Sequence, residues 1–158
     1  NTDPRHVITG IAGKKNFSVI AIEKDMMNAE IGFGRKVLEV LENYDISFEH
    51  LPSGIDTMCV IVPTEALEGK REQLLRSIQR QTHADHIEIQ DGMCLIAVVG
   101  RGMVRAKGTA ARVCDAVSGA GVNIRMIDQG SSELNIILGV DNDAYETALR
   151  AIFREFVR

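Results

Sequence analysis

Two acidic residues close to one turn are the first side chains in this sequence that could do chemistry. Glu49 stands between Phe48 and His50, shortly before the turn Pro52-Ser53-Gly54 and Asp56. A carboxylate near a strand end can pair with an ammonium group. Two unit charges ~4 Å apart attract by about 4 kcal/mol at an intermediate dielectric, before desolvation costs. The same Glu49 also reads as the solvated outer face of an antiparallel strand. Glycines supply a second chemical feature. Gly32-Phe33-Gly34 precedes one expected helix, and Lys107-Gly108-Thr109 precedes another. Glycine there lets a ligand approach the backbone closely, and a helix start offers N–H groups and a partial positive charge suited to a carboxylate or phosphate. A tight strand-to-helix turn without a ligand accounts for the same residues.

Other chemistries find no support in the residues. Gly100-Arg101-Gly102 lacks the third glycine and the ribose-binding acid of a dinucleotide fingerprint. No GxxxxGK[ST] segment occurs. His6, His50, His83 and His86 have no ligand spacing, and His83 and His86 around Asp85 read as a polar strand entry rather than a metal site. No Ser/His/Asp or Cys/His set is assembled, so a catalytic centre is not expected. Cys59, Cys94 and Cys114 are scattered and read as small buried hydrophobes in a reducing, cytoplasmic setting. With no Trp, 4% aromatic residues and a net charge of −4, the chain suits neither base stacking nor a phosphate backbone. No apolar run is long enough to cross a membrane. The start, Asn1-Thr2-Asp3-Pro4-Arg5-His6, is polar, lacks Met and reads as that of a fragment or a processed product.

The elements that must position these groups come as a repeat. Phe17–Val62 aligns with Met93–Leu138 without a gap at a shift of 76 residues, placing Gly32 on Gly108, Val37 on Val113 and Gly54 on Gly130. Each copy opens with an apolar strand, Phe17–Ile22 or Cys94–Val99. A helix of 3.6-residue period follows, carrying Val37, Leu38 and Leu41 or Val113, Ala116 and Val117. Two strands joined by a turn come next, Ile46–Leu51 with Met58–Val62, and Val122–Ile127 with Leu134–Leu138. A second amphipathic helix closes each copy, through Leu67, Leu74, Leu75 and Ile78 or Ala148, Leu149, Ile152 and Phe153. The strand His86–Gln90 completes βαββαβ in the first copy. No strand after Arg158 is expected to complete the second, and a bare sheet edge is a liability. Val7-Ile8-Thr9-Gly10-Ile11 is therefore expected to cross over and fill that place. The expected fold is α+β: two ferredoxin-like βαββαβ modules with antiparallel sheets and helices on one face. Residues 12–91 form the first module, and residues 1–11 with 92–158 form the second.

At this point the residues resemble a known family. Met26-Met27-Asn28-Ala29-Glu30-Ile31-Gly32-Phe33-Gly34 with Ser47-Phe48-Glu49-His50-Leu51-Pro52-Ser53-Gly54-Ile55-Asp56-Thr57 is similar to the first ACT domain of monofunctional aspartate kinases, nearest the lysine-responsive branch. Asn123-Ile124-Arg125-Met126-Ile127-Asp128-Gln129-Gly130-Ser131-Ser132-Glu133-Leu134-Asn135-Ile136 is similar to the second ACT domain of that family. Asn1-Thr2-Asp3-Pro4 resembles the stretch where the family's kinase domain ends. The resemblance covers nearly the whole chain.

The resemblance implies a regulatory region without catalysis of its own. The parent kinase would phosphorylate the aspartate side chain with ATP and magnesium, and the tandem ACT unit would bind an end-product amino acid, lysine or threonine, for feedback inhibition. A purely structural pairing module without a ligand is the alternative. The resemblance implies a homodimer through the first ACT domains, and no nucleic-acid or membrane partner. Carried over by position, the effector site comprises Met27, Glu30, Gly32, Phe33, Gly34, Ser47, Phe48, Glu49, Ser53, Gly54, Ile55 and Asp56. Backbone N–H groups near Gly32–Gly34 would hold the effector carboxylate, and Glu49 with Asp56 an amine. One lysine-sensitive pattern has Asp where this chain has Glu49 and Ser where it has Glu30. In the second copy Asn123 and Gln129 stand where Ser47 and Ser53 do, neutral residues suited to a polar amino acid such as threonine or to no ligand.

Overall fold

The computed structural model describes residues 8–100, 108–129 and 135–156. Its regular elements are β1 (Ile8–Glu23), α1 (Phe33–Asn43), β2 (Thr57–Pro63), α2 (Arg71–Thr82), β3 (His86–Gly100), α3 (Thr109–Gly119), β4 (Met126–Asp128), β5 (Asn135–Asp141) and α4 (Tyr145–Phe156). The strand order is β2-β1-β3-β5-β4, and β1–β2, β3–β5 and β4–β5 are antiparallel. This is the ferredoxin-like α+β architecture expected from the sequence. The chain divides into two compact units, one spanning Asn16–Asp91 and the other taking the chain up to Lys15 and from Gly92 onward.

In the Asn16–Asp91 unit, α1 and α2 pack on the sheet face carrying Ile20, Ile22, Met58, Val60 and Val62. Phe33, Val37, Val40 and Leu41 recur at helical spacing and are buried there. A left-handed residue closes α1: Asp45 has φ 56, and Ile46 N–H reaches back to Leu41 O at 3.0 Å. In the other unit α3 and α4 pack on Cys94, Ile96, Val98, Ile136, Leu138 and Val140, with Ile11 against the same cluster. Gly121 (φ 82) takes the capping role there, and Val122 N–H reaches Val117 O at 3.2 Å.

The expected strand Ile8–Ile11 is the first part of β1, continuous with Phe17–Ile22. His86–Gln90 and Cys94–Val99 likewise fuse into β3. Both long strands pass from one unit to the other beside a left-handed residue, Asn16 (φ 69) in β1 and Gly92 (φ 79) in β3. Val7 lies outside the described residues.

Three expectations about single elements need correction, and a fourth concerns the repeat. Ile46–Leu51 is not a regular strand. Glu49 N–H donates to Ile61 O at 2.8 Å while Ile61 N–H donates to His50 O at 3.0 Å, so two residues oppose one, as in a bulge. Beyond it only isolated bridges remain, His50 with Ile61 and Ser53 with Met58, because Pro52 has no N–H to give. Its counterpart is regular only over Met126–Asp128. Leu67 is buried in a short 3₁₀ turn ahead of α2 rather than in that helix.

The repeat itself is real but not gapless. α1 and α3 start 76 residues apart, at 33 and 109, whereas the strands paired with the opening ones stand 78 apart: Phe17 faces Pro63 in β2, and Met93 faces Asp141 in β5. The buried residues agree with the second offset: Met58, Val60, Ile61 and Val62 match Ile136, Leu138, Gly139 and Val140. The turn between the paired strands is therefore two residues longer in the second copy. The link before the last helix is four shorter, since α2 and α4 start at 71 and 145. At that offset Leu75-Arg76-Ser77-Ile78-Gln79-Arg80 falls on Leu149-Arg150-Ala151-Ile152-Phe153-Arg154.

Candidate functional site

The two sequence motifs of the first unit are joined by hydrogen bonds that neither contains alone. After β1 the chain turns through Met26 in a left-handed conformation (φ 61) and a single 3₁₀ turn, Met27–Ala29. Backbone polar groups in such a loop need partners, and the turn about 30 residues further on supplies them. Lys24 N–H donates to Asp56 O at 3.0 Å and Asn28 N–H to Ile55 O at 3.2 Å. Met26 N–H donates to a side-chain oxygen of Asp56 at 3.0 Å. The loop leading into Gly32-Phe33-Gly34 is thus held against Ile55-Asp56.

Below this junction lies an ion cluster. Lys24 Nζ donates to Glu30 Oε2 at 2.8 Å and Lys36 Nζ to Glu30 Oε1 at 3.4 Å. The Lys24 ammonium, helped by Lys36, holds the Glu30 carboxyl below the usual carboxylate range. Both oxygens of Glu30 are engaged by cations of its own unit, and Glu49 and Asp56 are the acids of the motif that have no such cation pair among the described residues.

The expected site residues separate by burial. Met27 and Phe33 belong to the hydrophobic core, at 6% and 3% exposure, so they support the loop from beneath. Gly32 caps α1 with φ 83, a conformation that favours glycine. At Gly34 a Cβ would meet nothing within 4 Å, so the first turn of α1 faces open space there. Ser47, Glu49, Ser53, Gly54 and Asp56 are exposed. Ser53 Oγ donates to Leu51 O at 3.2 Å, and Gly54 N–H to Thr57 O at 2.7 Å, which closes the turn. A groove lined by Leu38, Leu41, Glu42, Asp45, Ile46, Ser47 and Phe48 includes only Ser47 and Phe48 of the expected set. Lys24, Lys36, Thr82 and Asp85 fix the loop and lie outside the expected set; no local spacing marks contacts that span up to 60 residues.

Around the loop, large apolar side chains face outward: Met26 at 67%, Ile31 at 98%, Ile55 at 70% and Phe48 at 43% exposure. All four stand on the segments that carry the motif, and exposed apolar side chains that gather into one patch mark interaction sites.

In the other unit Gly108 (φ 80) caps α3 as Gly32 caps α1. Asn123 and Gln129 are exposed. Asn123 keeps its match to Ser47, but the match of Gln129 to Ser53 falls where the two copies differ in length. Lys107, Gly130 to Leu134, and Arg101 with Gly102 lie outside the described residues. His83 sits at the end of α2 in a left-handed cap (φ 53), a backbone role. Burial pushes all three free thiols up. Among the described residues no group of three or more acidic, His or Cys side chains could hold a metal, and no helix is long and apolar enough to cross a membrane.

Known proteins share this fold. Residues 96–156 match the ACT domain model. Aspartokinase 3 of Bacillus subtilis is 41% identical over 150 residues, 94% of this chain and 33% of that protein. The crystal structure of Clostridium acetobutylicum aspartate kinase superposes with a TM-score of 0.92 at 50% identity, over 94% of this chain and 34% of that one. E. coli aspartokinase III, solved in complex with lysine and aspartate, shares the fold with a TM-score of 0.73 at 20% identity, over 96% of this chain and 34% of that one. The chain spans about a third of the length of the curated relative it matches at 41% identity. Residues 96–156 thus match the ACT domain model, and the chain as a whole is similar to about a third of the length of known aspartokinases.

Proposed function

We propose that this chain is the lysine-sensing region of an aspartokinase, restraining by feedback an ATP- and magnesium-dependent kinase domain that phosphorylates aspartate in the cytoplasm. The observation that carries this reading is the hydrogen-bonded junction between the Gly32-bearing loop and the Ile55-Asp56 turn. It supports a site in which the first N–H groups of α1 receive an amino-acid carboxylate. Glu49, exposed on the bulged edge, receives the side-chain amine. Glu30 is taken up by Lys24 and Lys36, and Asp56 shapes the loop through Met26 N–H, so neither is the principal amine partner. The lysine held by the E. coli protein of the same fold supports this choice of effector.

Two copies of the chain pair through their first modules in this reading. The outward Met26, Ile31, Phe48 and Ile55 support it, since burial on a second copy would remove them from water. The second module, with Asn123 and Gln129, takes threonine or no ligand.

Calorimetric titration with lysine and threonine, alone and together, tests the proposal. Lysine at 100-fold over its dissociation constant is expected to stabilise the fold by about 2.7 kcal/mol. A dimer whose stability ignores every amino acid would leave a structural pairing module instead.

A further inference from the structure

Lys24 occupies a place that the effector reading does not use. Its Nζ donates to Glu30 Oε2 at 2.8 Å and to the backbone oxygen of Thr82 at 2.7 Å. It also lies 5.7 Å from the centroid of the Phe33 ring. The side chain is mostly buried, at 22% exposure. One ammonium therefore joins three segments: the loop before α1, the first residue of α1, and the last residue of α2, 58 positions away. The carbonyls at a helix C-terminus carry partial negative charge, so a cation there is favourably placed. Charge-assisted hydrogen bonds of this kind are stronger than neutral ones.

The neighbouring backbone repeats the connection. Asp25 N–H donates to Asp85 Oδ2 at 2.7 Å, and Asp85 N–H donates to Glu23 O at 2.8 Å. Residues 23–25 are thus fixed to 82–85 on one side, while 24, 26 and 28 are fixed to Ile55 and Asp56 on the other. The loop is held from two directions, and Lys24 takes part in both through its own N–H and its ammonium.

We propose that Lys24 is the positioning residue of this site, latching the loop Met26–Ile31 onto the end of α2 so that the start of α1 is presented to the effector. The inference rests on the effector reading for its function and on the contacts above for its geometry. Lys24 touches no ligand; it acts through Glu30 and the loop backbone. Lysine binding should then depend on a residue outside the ligand contacts, and Lys24→Arg, whose guanidinium offers several donors in place of one ammonium, should restore much of what Lys24→Met loses.

The test compares the wild-type chain with Lys24→Met, Lys24→Arg and Glu30→Gln by two measurements. Without ligand, amide exchange at Asn28, Ala29 and Glu30 should lose protection in Lys24→Met, recover in Lys24→Arg, and leave Val60 in β2 unchanged. In titration with lysine, Lys24→Met should weaken binding by about tenfold, in keeping with the loss of one charge-assisted hydrogen bond. Glu30→Gln, which leaves the Thr82 contact intact, should fall between. Wild-type protection in Lys24→Met, or equal loss across the whole unit, overturns the proposal. So does a lysine affinity that only tracks the unfolding midpoint and is not rescued in Lys24→Arg. A wild-type chain that binds no lysine overturns the effector reading alone, because the exchange comparison still decides whether Lys24 holds the loop.

Discussion

The ring of Tyr145, at the start of α4, lies directly against the backbone of Gly13 in β1. A Cβ built on Gly13 would stand 2.8 Å from Tyr145 Oη and 2.9 Å from Cζ, closer than real Cβ atoms come. Lys15 Nζ flanks the same ring at 5.2 Å from its centroid. The strand that enters the unit from the N-terminal side is therefore registered by an aromatic ring on a glycine.

Gly13→Ala should lower the unfolding free energy by about 1–3 kcal/mol, the usual cost of overpacking. Tyr145→Ala in the same chain should remove most of that penalty, giving a coupling term in a double-mutant cycle. Denaturant unfolding of the four chains checks it, and additive effects would argue against the contact.

Asp45 holds a left-handed conformation that its counterpart, Gly121, adopts with no side-chain penalty. Asp45→Gly should raise stability by up to about 1 kcal/mol, and Gly121→Ala should lower it by about 1 kcal/mol. The opposite signs, read as shifts in Tm, are the expected outcome.

Asp91 accepts both guanidinium nitrogens of Arg71 at 2.9 Å and the hydroxyl of buried Ser18. Arg71 first, and then Ser18, holds the Asp91 carboxyl below the usual range. A carboxyl depressed by folding adds stability above its unfolded pKa and loses it as pH falls through the folded value. Asp91→Asn should be less stable than wild type at pH 7, and the gap should close below about pH 4. Unfolding curves at several pH values measure this. The pair is well exposed, so the effect is modest.

Glu49→Gln should raise the dissociation constant for lysine by about tenfold, or about 1.4 kcal/mol, with little change in Tm because the side chain is exposed. Calorimetry with lysine and with norleucine, which lacks the side-chain amine, separates this from loss of fold: only the response to lysine should change.

Much of the fold was legible in the sequence. The apolar runs and 3.6-residue periods of Val37–Leu41 and Val113–Val117 report burial directly, and burial is what those elements share. The edge segment Ile46–Pro52 misled because its apolar residues suit a strand while a bulge at Glu49 and the missing N–H of Pro52 break the ladder. The two extra residues before β5 were invisible because turns carry no period against which to count. The Lys24 cluster was hidden for another reason. A lone lysine followed by an acid six residues later means nothing until Thr82 is brought beside it by the fold.

The threading of the two units sets an order of events at the ribosome. Asn16–Asp91 is one uninterrupted stretch and can close once Asp91 has emerged. The strand up to Lys15 belongs with the chain from Gly92 onward, so it is made before that stretch and completed after it. At about 5–20 residues per second it waits roughly 4–15 s for its partners to be synthesised. During that interval Ile11 and the residues around it are an unpaired edge, exposed to other nascent chains. Slowing or speeding translation between Asn16 and Asp91 would therefore change the yield of soluble protein without changing a single contact in the native fold.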